Sequence, residues 1–201
     1  MTRTGQRAAL AAVAALLLAG TATGAATAAA PATGEARPAP AAASGDVSVL
    51  GGLEVEVVQP YEPVEISDTW HMGLLPEGRQ NHVVTRPERY AADIETAKGY
   101  VGDDIRPDSM SLGVQSEYGE VRLITGAWRL AEAPREIRVT FEGDTFSHLA
   151  QIVRLPGRPG WGTYYFDAEG WGLSKTAFTV EGVDADGEVF DVVEHRPWPQ
   201  G

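Results

Sequence analysis

From residue 46 to the C-terminus, apolar and polar residues tend to alternate one by one, and this period of two limits the folds open to the chain more than any motif does. Leu53, Val55 and Val57 interleave with Glu54 and Glu56, and Val121 and Leu123 flank Arg122 ahead of Ile124. Successive side chains of a strand point to opposite faces, so such runs give sheets with one wet and one dry face. Further strands are expected over 64–72, 82–85, 110–118, 136–142, 146–155, 162–168, 175–183 and 188–194. Turn residues separate several of them: Tyr118-Gly119-Glu120, Gly143-Asp144 and Asp184-Ala185-Asp186-Gly187. Short strands at this spacing predict a mainly β fold, an antiparallel β-sandwich. One segment departs from it. Tyr90, Ile94 and Ala97 recur at helical spacing, which predicts a short α-helix at about 86–98, with Thr85 and Glu88 as a capping box, Pro87 in the first turn and Lys98-Gly99 as the stop.

The first 45 residues are a different population, holding 19 Ala against 10 in the rest. Arg3 and Arg7 precede an apolar run from Ala8 to Gly20, and Ala26-Thr27-Ala28 offers small residues for cleavage. This is the order of a secretory signal peptide, expected over 1–28. The apolar run is shorter than the roughly 18–20 residues needed to span a bilayer, so no membrane anchor is expected after cleavage. Residues 29–45, rich in Ala and Pro, read as a flexible linker. Residues 46–198 then form a single β-rich domain, with a subdivision conceivable near 119, because 120–194 has enough strands for a smaller sandwich. The expected location is secreted and extracellular.

Composition narrows the partners. Residues 46–201 carry 27 acidic against 13 basic side chains, a field that repels phosphate backbones and anionic lipid, so nucleic acid is excluded as a partner. With no cysteine, stability must come from burial or bound ions, which a chain of about 150 residues can manage. The preference for Arg, 14 against 2 Lys, goes with a single Asn and reflects a GC-rich coding sequence rather than anion recognition.

The closing hairpin from Phe178 through Asp184-Ala185-Asp186-Gly187 to Val189 resembles the last two strands of bacterial immunoglobulin-like modules, which implies fold only. Met72-Gly73-Leu74-Leu75-Pro76-Glu77-Gly78-Arg79-Gln80-Asn81, with Gly99-Tyr100-Val101-Gly102-Asp103, resembles uncharacterised secreted proteins of high-GC Gram-positive bacteria. That resemblance implies a compartment and no activity.

Three places offer chemistry. Glu77, Arg79 and Asn81 sit in a Gly/Pro loop and form either a ligand site or a structural loop in which Asn81 caps backbone groups. A variant reading presents Arg79 to a trypsin-like protease, but no disulfide stiffens the loop. Trp161, Tyr165 and Trp171 lie in an aromatic stretch that serves either as a sugar-stacking platform or as core. Asp103, Asp104 and Asp108, and separately Asp184, Asp186 and Glu188, supply oxygens of the kind calcium takes, though neither run has EF-hand spacing, and a solvated turn is the alternative. Calcium is the one cofactor to consider. His71, His82, His148 and His195 match no zinc motif, Ser147 and His148 are neighbours that point apart, and no Gly-x-Ser-x-Gly occurs.

The reading that follows is a secreted, non-catalytic protein that binds polysaccharide or another extracellular protein. The alternatives are an extracellular hydrolase using carboxylates as acid and base, and a structural protein of the cell envelope. Oligomeric state is not legible.

Overall fold

The computed structural model describes residues 48–50, 53–78, 81–100, 105–174 and 176–197. The expected signal peptide (1–28) and linker (29–45) lie outside the described residues, as do Arg79, Asp103 and Asp104. The fold is mainly β, with antiparallel sheets and one short helix.

The largest sheet runs β1 (Ser48–Leu50), β2 (Leu53–Val57), β11 (Gln151–Arg154), β12 (Gly162–Asp167) and β8 (Glu120–Arg129), with β6 (Ser109–Met110) and β7 (Gly113–Glu117) sharing the far side of β8. Only the β2–β11 pair is parallel in it. A four-stranded sheet runs β10 (His148–Leu149), β9 (Glu136–Phe141), β13 (Phe178–Val183) and β14 (Val189–His195). A three-stranded sheet contains β3 (Val64–Glu65), β4 (His71–Leu74) and β5 (His82–Thr85), and is followed by a 3-10 turn (Pro87–Arg89) and the helix α1 (Tyr90–Ala97).

Two cores hold these layers together. In the first, Ile124, Trp128, Ile152 and Tyr164 of the large sheet meet Ile137, Val139, Phe141 and Val180 of the four-stranded sheet. In the second, Val153, Leu155 and Trp161 on the other face of the large sheet meet Val64, Met72 and Leu74 of the three-stranded one. The middle of the large sheet is therefore covered on both faces, which is why β8 is buried without interruption from Leu123 to Trp128 instead of alternating. Neighbours on one strand serve different cores, as with Ile152 and Val153.

The sequence expectations hold for the class of fold and fail at particular joints. The run 64–72 is not one strand. Ile66 and Trp70 close a turn, Ile66 N–H donating to the Trp70 carbonyl at 3.0 Å, so β3 and β4 form a hairpin. The run 146–155 changes sheets: β10 pairs with β9, Ala150 N–H donates to the Ile137 carbonyl at 2.9 Å, and from Gln151 on β11 pairs with β12. Near 119, Tyr118 and Gly119 are the tip of a hairpin whose strands, β7 and β8, lie in one sheet.

The helix begins later than expected and without its capping box. Thr85 is the last residue of β5, and its hydroxyl donates to the Asp93 carboxylate at 2.5 Å, across a turn of 3-10 geometry, rather than to a helix amide. That bond, followed by the one from Arg89, holds the Asp93 carboxyl below its ordinary value. The helix lies against β4 because Gly73 has no side chain: a Cβ there would fall 2.2 Å from the Tyr90 hydroxyl and 2.8 Å from Ile94 Cδ1.

Candidate functional site

Three loops meet at one end of the molecule, where β8 and β13 begin and β7, β9 and β12 finish. Each presents a large aromatic side chain to solvent. The first is the two-residue β7–β8 turn. Tyr118 (φ 52°) and Gly119 (φ 80°) both take left-handed backbone, as the tight hairpin turn with matching twist requires. Asn, Asp or Gly usually fills the first of these positions, and a bulky residue there costs about 1 kcal/mol. Tyr118 nevertheless occupies it and is 93% exposed.

The second loop joins β9 to β10 and carries Phe146, 61% exposed. The third follows β12 and carries Trp171, 48% exposed. It is held to the start of β8 by the Ala168 N–H, which donates to the Arg122 carbonyl at 3.0 Å, and by the Val121 N–H, which donates to the Leu173 carbonyl at 2.9 Å. The ring of His148 sits between the second and third loops. Its centroid lies 4.8 Å from that of Phe146 and 4.7 Å from that of Trp171, both edge-to-face, and Phe141 and Phe166 back it from the core at 5.6 and 5.7 Å. Its Nε2 is 3.2 Å from Asp144 Oδ2. Ser147, next in the chain, points the other way and shares a hydrogen bond with Thr140 at 2.7 Å, so the two residues form no catalytic pair. The result is an amphipathic surface on a stiff frame: exposed ring faces, one imidazole–carboxylate pair, and a packed aromatic floor.

The residues singled out in the sequence are scattered. Of the aromatic three, only Trp171 belongs to this end. Trp161 is 3% exposed within the second core and offers no face to a ligand, correcting the platform reading for that residue. Tyr165 is half-buried against the same core, and burial pushes its hydroxyl up to about 12. The cause is the double coverage of the large sheet, which buries both sides of β12.

Glu77 and Asn81 both make structural hydrogen bonds. The Asn81 amide donates to the carbonyls of Glu77 (3.0 Å), Ala97 (3.3 Å) and Tyr100 (2.8 Å), tying Asn81 to the end of α1. The Tyr61 hydroxyl donates to Glu77 Oε1, and that bond raises the tyrosine above its ordinary value. The Lys98 ammonium lies 4.6 Å from the centre of the Tyr61 ring.

Asp184 spends one carboxylate oxygen on its own turn, Oδ1 accepting from the amides of Asp186 (3.0 Å) and Glu188 (2.9 Å). Asp108 is exposed, with left-handed backbone (φ 54°) and its N–H on the Arg129 carbonyl at 2.9 Å. Among the described residues no three His, Asp or Glu side chains converge as a metal would need.

Sequence reasoning missed Tyr118, Phe146 and the placing of His148. A tyrosine ahead of Gly119, where a hairpin turn favours Asn or Asp, was the one local signal for any of them. No protein-family model matches the chain, and no curated protein or solved structure matches it.

Proposed function

We propose that this is a secreted, non-catalytic protein that binds an extracellular polysaccharide through its aromatic end. The supporting observation is that Tyr118, Phe146 and Trp171, each from a different loop, are exposed at the same end of the fold. Large exposed aromatics on anchored loops are costly in water and are typical of recognition surfaces. Ring faces suit the C–H faces of sugars, and the His148–Asp144 pair supplies hydrogen bonds to hydroxyls at the rim. The resemblance of the β13–β14 hairpin to immunoglobulin-like modules, and that of the Met72–Asn81 stretch to secreted proteins of high-GC Gram-positive bacteria, are part of the same proposal.

The test is sedimentation of the protein with insoluble polysaccharides. Trp171→Ala and Phe146→Ala are each expected to weaken binding about tenfold while the protein stays folded, because Phe146 is mostly exposed and Trp171 is half-exposed at the edge of the core. If no polysaccharide retains the protein, or if both variants bind as the parent does, the reading is wrong.

One observation favours a second reading, the extracellular hydrolase. Glu56 is half-buried on β2, and burial, followed by the nearby charge of Glu62, holds its carboxyl above the ordinary range, as a general acid requires. Release of new reducing ends from a bound polysaccharide, abolished in Glu56→Gln, would establish it; an unchanged polymer after long incubation rejects it.

A further inference from the structure

A groove of about 570 Å3 opens at the same end of the four-stranded sheet, where β9 stops and β13 starts, and its volume is that of a ligand site. Strand register builds it. Phe178 stands opposite Phe141 on one side and His195 on the other, so the three rings form one row across the sheet. By alternation the rows on either side of it point to the opposite face. One is Thr140, Thr179 and Glu194. The other continues the register one step, with the Glu142 N–H donating to the Ala177 carbonyl at 2.8 Å and Arg196 following His195. Ala177 is the smallest residue of either row and stands in the middle of its own, which leaves a trough between Glu142 and Arg196.

The polar atoms of the groove suit a hydroxyl-rich chain. The Arg196 guanidinium holds one carboxylate oxygen of Glu194 from two nitrogens, Nε at 3.2 Å and Nη2 at 2.8 Å, which fixes the carboxylate and leaves Oε1 outside that pair. Thr140 and Thr179 add hydroxyls that both donate and accept. Groove and aromatic end share a wall: Phe141 lines the groove, and its ring lies 5.6 Å from that of His148 and 6.1 Å from that of Trp171. Phe178, 5.8 Å from Phe141, carries the His195 ring stacked on it at 4.7 Å, their planes 25° apart. His195 is partly exposed and lines the groove, so this end has a second ring for stacking. We infer that the polysaccharide continues from Trp171 past Phe141 into the groove, where a second subsite holds it through Thr179, Glu194, Arg196 and the His195 ring. This rests on the polysaccharide reading above and makes the ligand an extended, uncharged chain of several sugar units rather than a single terminal sugar, since carboxylates and a guanidinium side by side select no one sign of charge.

Cellulose, chitin and an insoluble β-1,3-glucan are the polymers to try, and oligomers from dimer to hexamer, released by partial hydrolysis of whichever retains the protein, are then titrated by calorimetry. Affinity is expected to rise about tenfold or more from dimer to hexamer, because the second subsite engages a chain that is already held. Glu194→Ala with Arg196→Ala removes two exposed side chains and leaves the core intact, and is expected to bring the ratio of hexamer to dimer affinity down to about one. Ala177→Phe, which fills the trough without removing a polar group, should do the same. Trp171→Ala is expected to weaken dimer and hexamer alike.

A ratio near one in the parent, or a ratio that either groove variant keeps, overturns the inference and leaves polysaccharide binding standing. Retention by none of the three uncharged polymers also overturns it. In that case polysaccharide binding stands if a charged polysaccharide is retained instead, and it falls as well if nothing is retained.

Discussion

Gly126→Ala is expected to destabilise the domain by about 3 kcal/mol or more, a large share of the roughly 5–15 kcal/mol that holds a domain of this size together. Gly126 lies in the middle of β8, directly opposite Tyr164 on β12. The tyrosine ring fills the space that a side chain at 126 would take, and its hydroxyl reaches past to donate to the Ser111 carbonyl at 2.8 Å. A Cβ on Gly126 would stand 2.0 Å from that carbonyl oxygen and 2.6 Å from two carbons of the ring. The first contact is with backbone, at the kink between β6 and β7, where Ser111 N–H also donates to the Ala127 carbonyl at 2.8 Å. Relief therefore requires the edge of the sheet to move together with a fully buried side chain. Gly99→Ala is the control, since its nearest contact would be 3.4 Å and its change should stay within about 0.5 kcal/mol. Urea unfolding of the two variants checks the contrast, and equal midpoints would show that the corner is looser than its contacts imply.

The same tyrosine sets the second large effect, a loss of stability in alkali. Burial, followed by the negative charge of Asp191, drives the Tyr164 hydroxyl well above its ordinary value; burial also pushes Tyr90 and Tyr165 up to about 12. A group whose folded value lies above its unfolded value stabilises fully below the unfolded value, here about 10, and the contribution is lost as pH rises towards the folded value. Above about pH 10 the unfolded chain releases a proton that native Tyr164 keeps, costing about 1.4 kcal/mol per pH unit. Tyr90 and Tyr165 add less, because water screens their half-exposed rings. Stability measured by urea unfolding is thus expected to fall steeply from about pH 10 to 12. Tyr164→Phe should flatten that fall while costing about 1–3 kcal/mol at neutral pH, because the Ser111 carbonyl loses its donor. A variant with the same alkaline slope as the parent would assign the effect elsewhere.

Much of the sheet structure is legible in the sequence, because a period of two is a local property. What is not legible depends on partners far away along the chain. Alternation places Tyr164 and Tyr165 on opposite sides of β12 but does not tell that both sides are covered, so Trp161 and Tyr165 look as available as Trp171. Thr85 and Glu88 have the spacing of a capping box, yet pairing with β4 keeps Thr85 extended at the end of a strand, where its hydroxyl meets Asp93 instead. The Ser67–Trp70 turn is hidden because Ile66 and Trp70 look like strand residues on either side of it. The aromatic end is the hardest to foresee: Tyr118, Phe146 and Trp171 are separated by more than twenty residues each, and only the three-dimensional meeting of their loops makes them one surface.

The parallel pairing of β2 with β11 has a consequence for the order in which the chain can be completed. Glu56 lies beside Val153, about 97 residues later, so β2 emerges early in synthesis and its neighbour emerges late. Until β11 arrives, a Val-rich strand has one edge unsatisfied, and closing so large a loop is slow. Because the residues just before β11 belong to the four-stranded sheet through β10, the event that seals β2 also joins the two layers. Assembly is thereby concentrated in a single late step, and a chain truncated before Gln151 is expected to remain adhesive rather than to fold in part.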